Sequence, residues 1–507
     1  MELKRSSGIL QHITSLPGNY GIGTLGEEAF TFANTLKQAG MSYWQILPIG
    51  PVHSSLGYSP YSSTSTFAGN YLFISLEMLA GENWFSRDIP PFEVKDDNNI
   101  NFSDVEKHKL PILLNAYDDF KKNSSDVDKS KFQNFCDKSK YWLDDFSQFS
   151  AIAEHFNSSN WLEWESNISK RQTNALNALC KKLREKISFQ KFIQYIFFKQ
   201  WKNFKDHCNK TGISLIGDIP IYITLESSDA WSHPEILQLD KRDGKPISVS
   251  GVPPDYFSET GQRWGNPLYK WGKNKLNSKT FNWWVNRISH INSMVDFTRI
   301  DHFRGFEGYW SIPSEEKTAI NGQWIKGPGI KFFNKLKKRL GSLPLIAEDL
   351  GVITADVEKL RDDLGLPGMK ILQFAFDFDN RNFYLPHNYA SSNFIAYTGT
   401  HDNNTTNGWF YGKEVDDNRR KYILKYLGSD EYDDFHWQLI RQAYRTIAKV
   451  VIFPTQDILG YGEEFRMNRP GTANNNWTWK LKKGSLNSGH INRLNEMGRM
   501  YDRIREE

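Results

Sequence analysis

MVDFTRIDHFRGFEGYW, residues 294–310, opens as a β-strand, because Val295 is β-branched, Phe297 is aromatic and their neighbours are largely apolar. The Arg304-Gly305 pair is expected to break that strand with a backbone turn. Arg299 and Asp301 stand two positions apart, so on a strand both side chains leave the same face. A guanidinium in that place favours the ionised carboxylate and holds it in one orientation, which suits a carboxylate acting as a nucleophile near neutral pH. A buried structural ion pair would leave the same mark. The stretch alone leaves both readings open.

The rest of the composition narrows the choices. At 507 residues the chain fits either several ordinary domains or one large enzyme fold with insertions. Its 63 basic and 59 acidic residues nearly cancel, so the formal charge of +4 gives no case for nucleic acid or an anionic membrane as partner. Three cysteines, Cys136, Cys180 and Cys208, are few, scattered and odd in number, which indicates neither a disulfide framework nor a Cys-based metal site. The N-terminus lacks the apolar core of a signal peptide, and no apolar run is long enough to span a bilayer. A soluble cytoplasmic protein is the expectation. Aromatic residues make up 14% of the chain, rich enough to raise sugar stacking as an alternative to a large core.

Taken in order, GILQHITSL (8–16) and SYWQILP (42–48) read as strands around a helical segment, EEAFTFANTLKQA (27–39). A loop rich in Gly, Pro and Ser follows, carrying Tyr58, Tyr61 and Phe67. Residues 77–210 turn polar with amphipathic helical patterns, such as 175–204, and are expected to form an inserted, mainly helical subdomain. The Ser/Asp/Lys run at 123–131 reads as a solvated loop. ISLIGDIPIYIT (213–224) is the next strand, with Asp218 at its tip, and residues 225–290 form a loop-rich insertion containing GVPPDYF (251–257) and Gln262, Trp264 and Asn266.

Four more apolar runs follow the opening stretch: SLPLIAEDLG (342–351), PGMKILQFAF (367–376), NFIAYTGTHDNN (393–404) and VVIFPTQDILG (450–460). With helical patterns at 329–340, 355–364 and 433–450, the pattern is eight alternating β/α units. The fold class is α/β, a (β/α)8 TIM barrel spanning residues 1–507 with inserted subdomains, whose function sits at the carboxyl ends of the strands.

On that fold Asp218, Asp301, Glu348, Asp402 and Asp457 all fall at strand tips on one rim. Such acids could hold a divalent cation. Arg299 beside Asp301 and His401 beside Asp402 argue for another use, since a metal site needs neither. Glycoside chemistry needs one carboxylate as nucleophile and another as general acid and base, about 5–5.5 Å apart when configuration is retained.

The motifs SGILQHITSLPGNYGIGTLG, YWQILPIGP, GYSPYSS, GDIPIY, GVPPDYFSETGQRWGNPLY, RIDHFRGF, AEDLG, YTGTHDN, PTQDILG and RMNRPGT extend over nearly the whole length. On these the chain closely resembles the 4-alpha-glucanotransferases called amylomaltases or disproportionating enzymes, of the alpha-amylase clan. The resemblance implies a retaining double displacement on alpha-1,4-glucans, with maltooligosaccharides, amylose or glucose as donors and acceptors, and without metal or cofactor. It implies Asp301 as nucleophile, Glu348 as general acid/base and Asp402 as the third acid, holding the 2- and 3-hydroxyls of the distorted sugar. Arg299, His401 and Asp218 would support the same ring, Tyr61 would stack on sugar, and Ser59 and Asn468 would lie near the sugar subsites. Gln262 and Trp264 would belong to the acceptor side, beneath the GVPPDYF flap (251–257) that carries Asp255, Tyr256 and Phe257. Gln456 and Asp457 are expected to be structural.

Many relatives read THDND where this chain has Asn404 after Asn403; little effect on the chemistry is expected. The short segment after RMNRPGT implies no C-terminal all-β domain. Two alternatives stay open: an alpha-glucan hydrolase of the same clan, and a catalytically silent glycan-binding protein.

Overall fold

The computed structural model describes residues 2–254, 258–272, 275–472 and 474–504. Eight strands form one parallel sheet: β1 (Ser6–Leu10), β2 (Tyr43–Gln45), β3 (Ser214–Pro220), β4 (Phe297–Asp301), β5 (Leu345–Ala347), β6 (Gly368–Ile371), β7 (Phe394–Tyr397) and β8 (Val450–Pro454). Ladders join β1 through β5 in sequence and β6 through β8 likewise, and β1 also pairs with β8, Ser6 lying opposite Val450. The expected eight strands are all present. Their apolar runs are continuous rather than alternating because both faces of such a sheet are covered; every residue of β1 and β8 is buried.

Contacts from β5 to β6 close the barrel. Ala347 N–H donates to the Pro367 carbonyl at 2.9 Å. Asp349, just past β5, accepts the Met369 N–H at 2.7 Å and pairs with Arg361 at 2.5 Å. Across the interior, Tyr397 of β7 donates its hydroxyl to Gln45 of β2 at 2.8 Å, flooring the mouth of the barrel.

Two layers are added to this frame. Between β2 and β3 run long helices, among them Phe102–Asn123, Asp126–Phe156 and Arg184–Lys210. The run expected to be a solvated loop is mostly helix. Ser125 caps the Asp128 N–H, and Asp126 and Asp128 sit in the first turn, where carboxylates favour a helix start. The second addition is a four-stranded antiparallel sheet in the order 262–267, 248–252, 308–313, 323–326. It joins part of the 225–290 stretch to chain that follows β4 directly.

The opening stretch differs from its sequence reading in one place. β4 ends just before His302, whose φ of 54° is left-handed, and a 3-10 turn spans Phe303–Phe306. The break therefore precedes Arg304-Gly305, one residue after Asp301. Among the described residues no helix is long and apolar enough to cross a membrane.

Gly368 leaves room for the barrel seam, since a Cβ there would lie 2.4 Å from the Asp349 carboxylate. Asp349 is pinned by Arg361 and Met369 and has no room to yield. Gly368→Ala is expected to cost about 1–3 kcal/mol, read as a lowered denaturant midpoint. An unchanged midpoint would contradict this account of the seam.

Candidate active site

Parallel register sets the geometry at the carboxyl ends of β3, β4 and β5. Asp218 lies opposite Arg299, and Ile300 opposite Ala347, so Asp301 and Glu348 occupy the next positions on neighbouring strands, with main chains about 4.8 Å apart. Arg299 is the hub. Its guanidinium donates to Asp218 at 2.5 Å and to Asp301 at 2.9 Å; the Asp218 side chain is wholly buried, whereas that of Asp301 is 30% exposed toward the mouth. Tyr61 donates its hydroxyl to the same Asp218 oxygen at 2.7 Å. The turn that presents Tyr61 is held by the Ser59 hydroxyl, which accepts the Tyr61 N–H at 3.2 Å.

Glu348 is oriented by backbone. Its carboxylate oxygens accept the His302 N–H at 2.6 Å and the Leu350 N–H at 3.1 Å. Asp402 comes from the turn after β7. Its oxygens meet His401 Nε2 at 3.3 Å and the Asn468 amide at 2.6 Å. Arg466 donates to the carbonyls of both Asp402 and Asn468, at 2.6 and 2.7 Å, and so aligns that pair. The Tyr61 ring stacks on His401 at 5.1 Å, and Trp477 packs against both rings.

The charges of this cluster sort its protons. Burial, then the Asp301 carboxylate, push Glu348 well above the usual carboxylate range. Burial raises Asp301 too, but Arg299 opposes it and the shift is smaller. Burial alone would raise Asp402, yet His401 and Asn468 outweigh it and hold the group below the ordinary range. These shifts favour the proton on Glu348 over Asp301 and Asp402, with Asp301 and Glu348 on adjacent strands.

Of the residues singled out from sequence, Asp301, Glu348, Asp402, Arg299, His401, Asp218, Tyr61 and Asn468 form this cluster, and Ser59 stands behind Tyr61. Trp264, 39% exposed, meets the His302 ring edge-to-face at 4.7 Å and donates to Gln262 at 3.2 Å, which puts both beside the turn that follows Asp301. Asp255, Tyr256 and Phe257 lie outside the described residues. Asp457 braces the scaffold, accepting from Thr398 at 2.5 Å and from the Thr406 N–H at 2.7 Å. Gln456 donates to the Phe465 carbonyl at 3.3 Å. Asn404, the departure from THDND, donates to Glu414 at 2.8 Å. Sequence reasoning misses Trp477 and Arg466. The three asparagines before Trp477 signal a turn, but nothing local points that turn at Tyr61. No set of three His, Cys, Asp or Glu side chains among the described residues is grouped to hold a metal ion.

A family model described as 4-alpha-glucanotransferase matches residues 11–487. A 4-alpha-glucanotransferase of Clostridium butyricum is 46% identical, covering 97% of this chain and 99% of its own. One from Synechocystis sp. is 44% identical over 97% and 98%. The solved structure of an amylomaltase from Streptococcus agalactiae in complex with acarbose superposes with a TM-score of 0.94 at 38% identity, covering 99% of this chain and all of that one. With a family model matched along nearly its whole length and relatives aligned end to end, this chain belongs to the 4-alpha-glucanotransferase family.

Proposed function

We propose that this 4-alpha-glucanotransferase moves alpha-1,4-glucan segments by a retaining double displacement, with Asp301 as nucleophile, Glu348 as general acid and then base, and Asp402 as stabiliser of the distorted sugar. The observation that carries this reading is the placement of two carboxylates at neighbouring register positions, Asp301 paired with Arg299 at 2.9 Å and Glu348 held by backbone N–H groups, with the proton favoured on Glu348 over Asp301. The spacing of adjacent strands suits the roughly 5–5.5 Å that retention needs.

In the first step Asp301 attacks the anomeric carbon of the donor. The bond to the departing 4-oxygen breaks, and Glu348 gives its proton to that oxygen. In the second step the 4-hydroxyl of an acceptor glucan or glucose passes its proton to the Glu348 carboxylate and attacks the same carbon, and the ester to Asp301 breaks. Asp402, held by His401 and Asn468, would accept from the 2- and 3-hydroxyls. Tyr61 offers the ring against which the sugar stacks. Trp264 and Gln262 are proposed for the acceptor side, because they border the turn after Asp301. Three free thiols support a reducing, cytoplasmic setting.

Transfer over hydrolysis requires that water be scarce while the ester waits and that acceptor sugars gain binding energy from aromatic surfaces. Incubation with maltotriose separates the two activities: transfer yields longer chains together with glucose, whereas a hydrolase of the same clan yields only shorter products.

Glu348→Gln is expected to lower transfer by about 10²–10⁴-fold and to abolish the basic limb of the kcat/KM profile. The sign follows from the shifts. Glu348 must be protonated in the first step, so the rate falls as pH rises through its raised pKa; Asp301 must be ionised, so the rate falls as pH drops through its own, lower one. A basic limb that persists in the variant would remove Glu348 from this role. Phe257→Ala is expected to raise the ratio of free glucose to new oligosaccharides from maltotriose, and an unchanged ratio would exclude that residue from water exclusion.

A further inference from the structure

Three consecutive residues after the nucleophile grip the turn that carries Glu348. The His302 N–H donates to the Glu348 carboxylate at 2.6 Å, the Phe303 N–H to the Glu348 carbonyl at 3.1 Å, and the Arg304 guanidinium to the Val352 carbonyl. The first two contacts have backbone N–H donors, placed by the left-handed turn at His302. The third comes from a side chain, so it is the one that a substitution can remove.

Arg304 is built into this place. It is 6% exposed, and its guanidinium lies 3.9 Å over the ring of Trp324, on the outer strand of the antiparallel sheet. Stacking fixes the guanidinium plane and leaves its donors aimed along the strand end. The other side of the Glu348 turn is held by Asp349, through Arg361 and the Met369 N–H. The turn therefore has a fixed edge on the β6 side and an edge on the β4 side that Arg304 closes.

We propose that Arg304 is a positioning residue for the general acid/base, setting where the Glu348 proton points relative to Asp301. The inference rests on the assignment of Glu348 as acid given above. Leu350, whose N–H holds one Glu348 oxygen, lies within the segment that Arg304 anchors, so release at Val352 lets that oxygen and its donor drift together. Asp349 stays latched, so the turn swings without unfolding. A displacement of about 1 Å at a reacting group costs on the order of 10²-fold in rate.

A pair of donors tests this. With maltotetraose, cleavage of the bond between the anomeric carbon and the 4-oxygen needs the Glu348 proton. With alpha-maltotriosyl fluoride, fluoride leaves as the anion while Asp301 forms its ester, and no proton is required. For Arg304→Met, kcat/KM on maltotetraose is expected to fall about 10²-fold, while kcat/KM for fluoride release stays within a factor of about three. Arg304→Lys, which keeps a charge but not the planar fork, is expected to show the same asymmetry at smaller size. Equal losses on both donors in both variants, or no loss on either, would overturn the proposal. Glu348→Gln is the reference. If it shows the asymmetry and the Arg304 variants do not, the positioning role alone fails; if it shows none, the acid assignment fails and the inference falls with it.

Discussion

One buried guanidinium governs the mouth of this barrel. Arg299 is 4% exposed at its side chain and stands between a wholly buried Asp218 and a partly exposed Asp301. A charge at that depth is sustained only by partners, and removing one partner of such a set costs about 3–5 kcal/mol because the other is left uncompensated. Asp218, Asp301 and Asp402 are three carboxylates facing one arginine and one histidine. Desolvation, and then the Asp301 carboxylate, raise Glu348 on the next strand, so the proton is favoured there over Asp301. Arg299 opposes the rise at both carboxylates, so its shared charge ties their proton affinities together.

The strands make this sharing geometrically fixed. Asp218, Arg299 and Asp301 ride on β3 and β4, and Glu348 follows β5, all in consecutive register. Tyr61, His401, Asp402 and Asn468 come from loops and turns instead, and Asp402 and Asn468 are tied by Arg466 through carbonyls on both. The antiparallel sheet then packs against the turn after Asp301, with Trp264 against His302 and Trp324 against Arg304.

Much of this was legible in the sequence, for physical reasons that differ between parts. Barrel strands buried on both faces read as uninterrupted apolar runs, so VVIFP and LPLIA declared themselves, and an acid following such a run declared the rim. The helix at Gly329–Leu340 falls where its periodicity put it. Other features depend on partners distant in the chain. The break at His302 is stabilised by Glu348, 46 positions away, so no local punctuation marked it, and Arg304-Gly305 was the nearest visible signal. The strands Gly308–Pro313 and Gln323–Lys326 do not alternate in sequence; they pair with each other and, through the first, with chain from the preceding insertion. At 123–131 composition suggested solvation, and capping by Ser125 decided for helix. Trp477 adopts φ of 66° in a turn whose target, the Tyr61–His401 stack, exists only after the loops assemble.

The pairing of β1 with β8 has a consequence for biosynthesis. Ser6–Leu10 is made more than four hundred residues before one of its two neighbours, Val450–Pro454. Arg503 then donates to the Ser6 carbonyl from 497 positions downstream. Until that late segment emerges, a nascent chain can hold only an open sheet with two unsatisfied margins. Ring closure, and with it the assembly of Asp402 and Asn468 beside Asp301, therefore waits for the segment that carries Val450–Pro454.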